Sequence, residues 1–138
     1  MRGKFKQEIN TREIYSTIMS RSESCYKWAD VPEDKLRPDL SRKVIHGENV
    51  TIAMFSLKKG AKVDSHKHVN EQMSCVLSGA VKFIMADGKE YVLSQGMVMH
   101  LPPNVEHAAL ALEDSVVMDV FSPPRDDWKK GTDQYLRK

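Results

Sequence analysis

Short runs rich in apolar residues, separated by turn residues, recur along the chain between Ser41 and Phe121. Such runs have the length of strands, whose successive side chains face opposite sides of a sheet. Ser41 to Ile45 and Val50 to Leu57 read as strands joined by a turn at His46-Gly47-Glu48-Asn49. In the second of these, Val50, Ile52, Met54 and Ser56 point one way and Thr51, Ala53, Phe55 and Leu57 the other. Apolar residues on both faces predict a sheet covered on both sides. Further strands are expected over Met73–Leu77, Val81–Ala86, Tyr91–Leu93, Met97–Leu101, Glu106–Leu112 and Val116–Phe121. Ser78-Gly79, Asp87-Gly88, Ser94-Gln95-Gly96 and Pro102-Pro103-Asn104 supply the turns, and Asp-Gly between two such runs is a hairpin signal. Short strands with regularly spaced turns predict an all-β sandwich or barrel. No helical period of useful length interrupts them.

The two ends differ from this pattern. Residues 1–24 form a polar arm in which Ile9, Ile14, Tyr15 and Ile18 keep a loose helical spacing, with a possible start at Thr11. Tyr15, Ile18 and Met19 would be wasted on solvent, so the arm is expected to pack on a second subunit, making a homodimer. Residues 25–138 are then one domain. Tyr26 to Pro38 reads as a loop punctuated by Pro32 and Pro38.

Composition narrows the class. A chain of 138 residues, 41% hydrophobic and 29% charged, supports one soluble core. Its 21 basic and 19 acidic residues leave a net charge of +2, with no footprint for nucleic acid or an anionic membrane. There is no apolar run long enough for a membrane helix. The amino terminus lacks the apolar centre of a signal peptide, so the expected location is the cytoplasm. Cys25 and Cys75 are too few for a disulfide framework, and Cys75 is expected to pack as a small apolar residue.

The candidate chemistry lies in two stretches. The first reads Gly60-x5-His66-x-His68-x3-Gln72-x6-Gly79. On an extended strand His66 and His68 share one side, and imidazole is a common metal ligand at neutral pH. The second reads Gly96-x5-Pro102-x-Asn104-x2-His107. A bland reading stays open for the pair of histidines as ordinary strand residues and for Gln72 as a partner of a nearby loop. His46 reads as a turn residue, and His100 as a surface or rim residue.

Together the two stretches resemble the two motifs of the cupin family, Gly-x5-His-x-His-x3,4-Glu-x6-Gly and Gly-x5-Pro-x-Gly-x2-His-x3-Asn. The 16 residues from Ala80 to Gln95 suit the segment between them. Gln72 stands where the family usually has glutamate, Asn104 replaces a glycine, and Ala111 replaces the final asparagine. Asn tolerates the left-handed conformation a glycine would supply. The resemblance implies a double-stranded β-helix, or jelly roll, holding one divalent transition metal (zinc, nickel, iron or manganese) on His66, His68, Gln72 and His107. Glu71 competes with Gln72, but adjacent strand residues face opposite sides and the spacing favours Gln72. Four neutral donors would leave the ion its full charge, favouring Lewis acidity and anionic substrates.

Asp119-Val120-Phe121-Ser122-Pro123-Pro124-Arg125 forms a second constellation. Asp119 and Phe121 share a strand face, and two prolines end the strand before Arg125. Asp119 can serve as general acid or base, and Arg125 offers a bidentate grip on a small-molecule carboxylate. Asp119 and Arg125 are equally able to pair with each other while Phe121 fills core. The ligand set and the later Asp-x-Phe-x3-Arg look like the KdgF-type cupins of uronate catabolism, in which a metal site helps convert unsaturated monouronates to the linear ketonised sugar acid. That resemblance implies Asp119, Phe121 and Arg125 as catalytic residues. Two other classes stay open: an iron- or manganese-dependent dioxygenase, and a non-catalytic barrel that binds a small molecule.

Overall fold

The computed structural model describes residues 22–138. The arm's expected helix start and its apolar residues 14–19, with the dimer contact drawn from them, lie outside the described residues. The chain divides into two compact units between Asp30 and Val31. The described part of the first carries one 3-10 turn, Trp28–Asp30, held by Asp30 N–H donating to the Lys27 carbonyl at 2.8 Å.

The second unit contains ten strands: β1 (Asp34–Arg37), β2 (Leu40–His46), β3 (Thr51–Leu57), β4 (Lys62–His66), β5 (Glu71–Ser78), β6 (Ala80–Met85), β7 (Glu90–Ser94), β8 (Val98–Leu101), β9 (His107–Ala111) and β10 (Ser115–Ser122). They form a six-stranded sheet in the order β1-β2-β3-β10-β5-β8 and a four-stranded sheet in the order β4-β9-β6-β7, and every pairing is antiparallel. Two antiparallel sheets with these crossovers make the double-stranded β-helix that the strand pattern and the motifs implied.

The alternation is strict where the sheets face each other. Along β10 the buried residues are Ser115, Val117, Asp119 and Phe121, and along β3 they are Thr51, Ala53, Phe55 and Leu57. These meet Val76, Leu101, Val81 and Phe83 in one core. Each buried Val, Leu or Phe among them contributes roughly 1.5–3 kcal/mol by leaving water. The outward residues of β3 and β10, such as Ile52, Met54, Met118 and Val120, are half-buried. Cys75 is also half-buried rather than packed in the core.

Two turns show why glycine stands in the first motif's frame. Gly79 has φ +85°, and a Cβ there would lie 2.3 Å from the Asp114 carbonyl and from the Ser115 hydroxyl oxygen. Gly60 also has positive φ, but a Cβ there would meet open space. Asn104, φ +63°, takes the left-handed turn that its glycine counterpart would take.

The structure differs from the strand reading in three places. Residues 34–37, expected in a loop, are strand β1, because Arg42 and Leu40 of β2 offer a partner edge. Residues 62–66, with only Val63 buried, carry too little apolar alternation to read as a strand, yet pair with β9. After Pro124 the chain forms a one-turn helix α1 (Asp126–Lys129) and a 3-10 turn (Gln134–Leu136). Trp128 and Leu136 of this tail are buried in the core. Asp133 is buried too, ion-paired to Arg42 of β2, which also bonds Asp34 at 3.1 Å.

Candidate metal centre

His66 is the last residue of β4 and His107 the first of β9, and the two stand opposite each other in the antiparallel register. His68 is not on the strand. It follows β4 and precedes the bend at Val69 and Asn70, so the shared-side argument from a two-residue spacing on a strand does not apply to it. The rings of His66 and His107 are 4.4 Å apart between centroids, and those of His68 and His107 5.2 Å. One ligand atom from each of the three histidines lies within 4.8 Å of the others.

The hydrogen bonds choose the tautomer. Nδ1 of His66 meets the Asp64 carbonyl at 2.8 Å, Nδ1 of His68 the Asn70 carbonyl at 3.1 Å, and Nδ1 of His107 the Val105 carbonyl at 2.8 Å. A carbonyl only accepts, so each Nδ1 carries the proton and each Nε2 keeps its lone pair. Burial also holds the three rings neutral. It depresses His66 and His68 to about 4, with the neighbouring imidazoles and Arg125 acting in the same direction, and it lowers His107 as well.

Gln72 faces the same space from β5, buried, while Glu71 turns outward to His100 at 2.7 Å. The Gln72 amide nitrogen donates to the Ser74 hydroxyl at 2.9 Å and approaches Asp119 Oδ2 at 3.4 Å. Those contacts aim its oxygen at Nε2 of His68, 3.0 Å away. In this tautomer and amide orientation both are acceptors, and a cation shared between them satisfies both. The buried Nε2 of His107 has no hydrogen-bond partner either. The residues therefore fit a divalent ion on three imidazole nitrogens and one amide oxygen.

Asn70 fixes the bend. Its carbonyl takes the His68 Nδ1 proton, and its buried side-chain amide donates to the Pro123 and Pro124 carbonyls at 2.6 and 3.1 Å. The second-motif turn is tied to the same bend by Asn104 N–H donating to the His68 carbonyl at 2.8 Å. Nothing in the motif spacing points to Asn70.

Asp119 and Phe121 extend from β10 into the same cavity, opposite Ser74 and Gln72 of β5. Burial pushes the Asp119 carboxyl up to about 6, against the opposing pull of Ser74, Arg125 and Gln72. Among the described residues its Oδ1 has no hydrogen-bond partner. The Phe121 ring packs edge-on to His68, 5.7 Å between centroids.

Arg125 is almost wholly buried, sandwiched between Phe121 and Trp128 at 4.6 and 4.3 Å. It pairs with neither Asp119 nor open space. Nε and Nη2 grip Asp127 at 3.0 and 2.8 Å, and Nη2 also donates to the Tyr135 hydroxyl at 2.8 Å. Burial disfavours the Arg125 charge, but the Asp127 carboxylate more than offsets it and raises its pKa. One bidentate edge of the guanidinium, Nε with Nη2, is thus occupied within the chain.

The cavity lined by His66, His107, Gln72, Asp119, Arg125 and Tyr135 together with apolar core residues has a volume of about 60 Å³, room for roughly four to six waters. His66 and His68 are half-buried. His46 and His100 stand apart, His46 on Thr51 at 2.8 Å and His100 on Glu71.

Relatives carry the same architecture. A family model described as "Cupin domain" matches residues 53–121, half of the chain. The pectin degradation protein KdgF of Dickeya dadantii (strain 3937) is 28% identical over 102 residues, covering 72% of this chain and 92% of that protein. The solved KdgF from Halomonas sp. superposes with a TM-score of 0.72 at 30% identity, over 78% of this chain and 99% of that one. An RmlC-like cupin from Shewanella frigidimarina gives 0.71 at 27% identity, over 78% and 96%. Paired antiparallel sheets, the two spaced motifs and these matches lead to one conclusion: the chain belongs to the cupin family.

Proposed function

We propose that the protein is a metal-dependent isomerase that opens the ring of unsaturated monouronates. One observation carries the reading: a buried carboxyl, Asp119, lines a cavity with His66, His107 and Gln72, and His68 brings a third imidazole within 4.8 Å of the other two. The similarity to KdgF, a protein named for pectin degradation, supplies the substrate class.

The chemistry follows from the substrate. A 4,5-unsaturated uronate is a cyclic hemiacetal whose ring oxygen is also an enol ether. Asp119 takes the proton of the C1 hydroxyl, the bond from C1 to the ring oxygen breaks, and C1 becomes an aldehyde. The electron pair stays as an enolate over the former ring oxygen, C5 and C4. Return of the proton to C4 leaves a ketone at C5, so no atom or electron is gained or lost. A divalent ion on His66, His68, Gln72 and His107 would supply Lewis acidity toward a substrate oxygen. Arg125 places a permanent positive charge in the cavity wall, favourable to an anionic sugar acid. The ring enters by the side where His66 and His68 are half-buried, since the enclosed volume holds only its reacting end.

The test combines elemental analysis with loss of the ultraviolet absorbance of the conjugated double bond. Wild type should carry close to one transition ion per chain and bleach unsaturated galacturonate. His66→Ala should lose both metal and activity, whereas Asp119→Asn should keep the metal and lose about 100-fold or more in rate. Metal-loaded wild type that leaves the absorbance unchanged overturns the reading. Oxygen uptake with Fe(II) would move the protein to the dioxygenases. A barrel that cannot be loaded with metal would be a binding module.

A further inference from the structure

Tyr135 comes from the 3-10 turn of the tail, a stretch without a metal-ligand or strand signal, and still reaches the cavity. Its ring lies tilted against His66, 4.5 Å between centroids and 32° between planes. Its hydroxyl oxygen accepts from Arg125 Nη2 at 2.8 Å. That bond occupies one lone pair and turns the phenol's own proton away from the guanidinium. Among the described residues no acceptor takes this proton, although Asp119, Gln72 and His107 line the same cavity.

A hydroxyl so held is a preorganised donor. Arg125 polarises it, Phe121 and Trp128 fix Arg125 by stacking, and Asp127 fixes the guanidinium's orientation. The tail itself is anchored by Asp133 on Arg42 and by buried Leu136 on either side of Tyr135. Such a donor stabilises negative charge that develops on a substrate oxygen, and does so without reorganising as the charge appears.

We propose that Tyr135 touches the substrate and donates a hydrogen bond to the enolate oxygen released when the ring opens. This rests on the ring-opening reading. It gives Arg125 its task in the reaction, which is to polarise the phenol rather than to clamp a carboxylate. Asp119 moves the proton and Tyr135 stabilises the charge left behind.

Tyr135→Phe separates the hydroxyl from the ring, since phenylalanine keeps the stack on His66. The variant should bind metal like wild type, keep KM within about threefold and lose about 100-fold in kcat, the usual effect of deleting one oxyanion donor. A second readout does not need turnover. Oxalate, a planar dianion resembling a carboxylate beside an enolate oxygen, should bind the metal-loaded variant about tenfold more weakly than wild type, roughly one hydrogen bond to a charged acceptor. Acetate should bind both alike. A kcat within threefold of wild type overturns the proposal, as does loss of metal in Tyr135→Phe, which would make the hydroxyl a structural strut. If wild type turns over no unsaturated uronate, the ring-opening reading falls. Oxalate then decides Tyr135 alone, and equal affinities overturn it.

Discussion

A carboxyl that is 8% exposed with one oxygen unpartnered costs the folded chain stability, and Asp119→Asn measures how much. Burial lifts the folded pKa of Asp119 to about 6, while in the unfolded chain an aspartate titrates near 3.9. Between those values the folded state holds a proton that the unfolded state has released. Stability therefore falls as pH rises through this window and stays lowered above it. About two pH units at 1.36 kcal/mol each give about 3 kcal/mol. Asparagine carries no charge at any pH and escapes the loss.

The histidines act in the opposite sense, because burial holds His66 and His68 at about 4. Below about pH 6.5 the unfolded chain takes up protons that the folded rings refuse, so their contribution grows as pH rises from about 4 to 6.5. It is present in wild type and variant alike and cancels in the difference. The amide introduced by asparagine sits beside the Gln72 amide nitrogen or at the unpartnered Oδ1 position, a cost of about 1–3 kcal/mol that does not vary with pH. The slope is thus the quantity to read. Urea unfolding of metal-free wild type and Asp119→Asn between about pH 4 and 8 should show the variant gaining up to about 3 kcal/mol on wild type. A difference that stays flat within about 0.5 kcal/mol refutes the burial argument. Because the same variant is expected to lose turnover, the charge at Asp119 is retained against stability, a trade-off characteristic of functional sites.

Two further outcomes concern the frame around the site. Asp133→Ala leaves Arg42 buried with only Asp34 as a carboxylate partner, so thermal unfolding should show a loss of about 3 kcal/mol, and kcat should fall as Tyr135 loses its anchor. Gly79→Ala must push a methyl group to 2.3 Å from the Asp114 carbonyl at φ +85°, whereas Gly88→Ala, φ +90°, meets open space. The second should cost only the backbone term of about 1–2 kcal/mol and the first clearly more, and equal losses in a denaturant titration would show that the turn at Gly79 yields.

How far the sequence carried depends on whether a feature is local. Strands β3, β5, β6 and β10 declared themselves because each is a short apolar run bounded by turn residues, a pattern contained in a few neighbouring positions. The first motif was legible for the same reason: Gln72 inward and Glu71 outward follow from the period of two. Strand β4 was not, since only Val63 of Lys62–His66 is buried and its partner strand lies far along the chain. His68 was placed among the candidate ligands by spacing, but the bend that delivers it is set by Asn70 reaching Pro123 and Pro124, more than fifty residues away.

Arg125 shows the same limit in its sharpest form. Its residue type and its position after Pro123-Pro124 identified a cation near the site, and the fold places it in the cavity wall. Its task could not be read from type alone, because a guanidinium fork suits any carboxylate and Asp127 supplies one only two residues on. A carboxylate fixed on the same turn competes for that edge within the chain. Arg125 also bonds Tyr135, and that contact depends on a tail whose return is secured by Asp133 meeting Arg42 across 91 residues of sequence. The ligand set is a property of two short motifs, whereas the polarised phenol exists only where the ends of the domain meet.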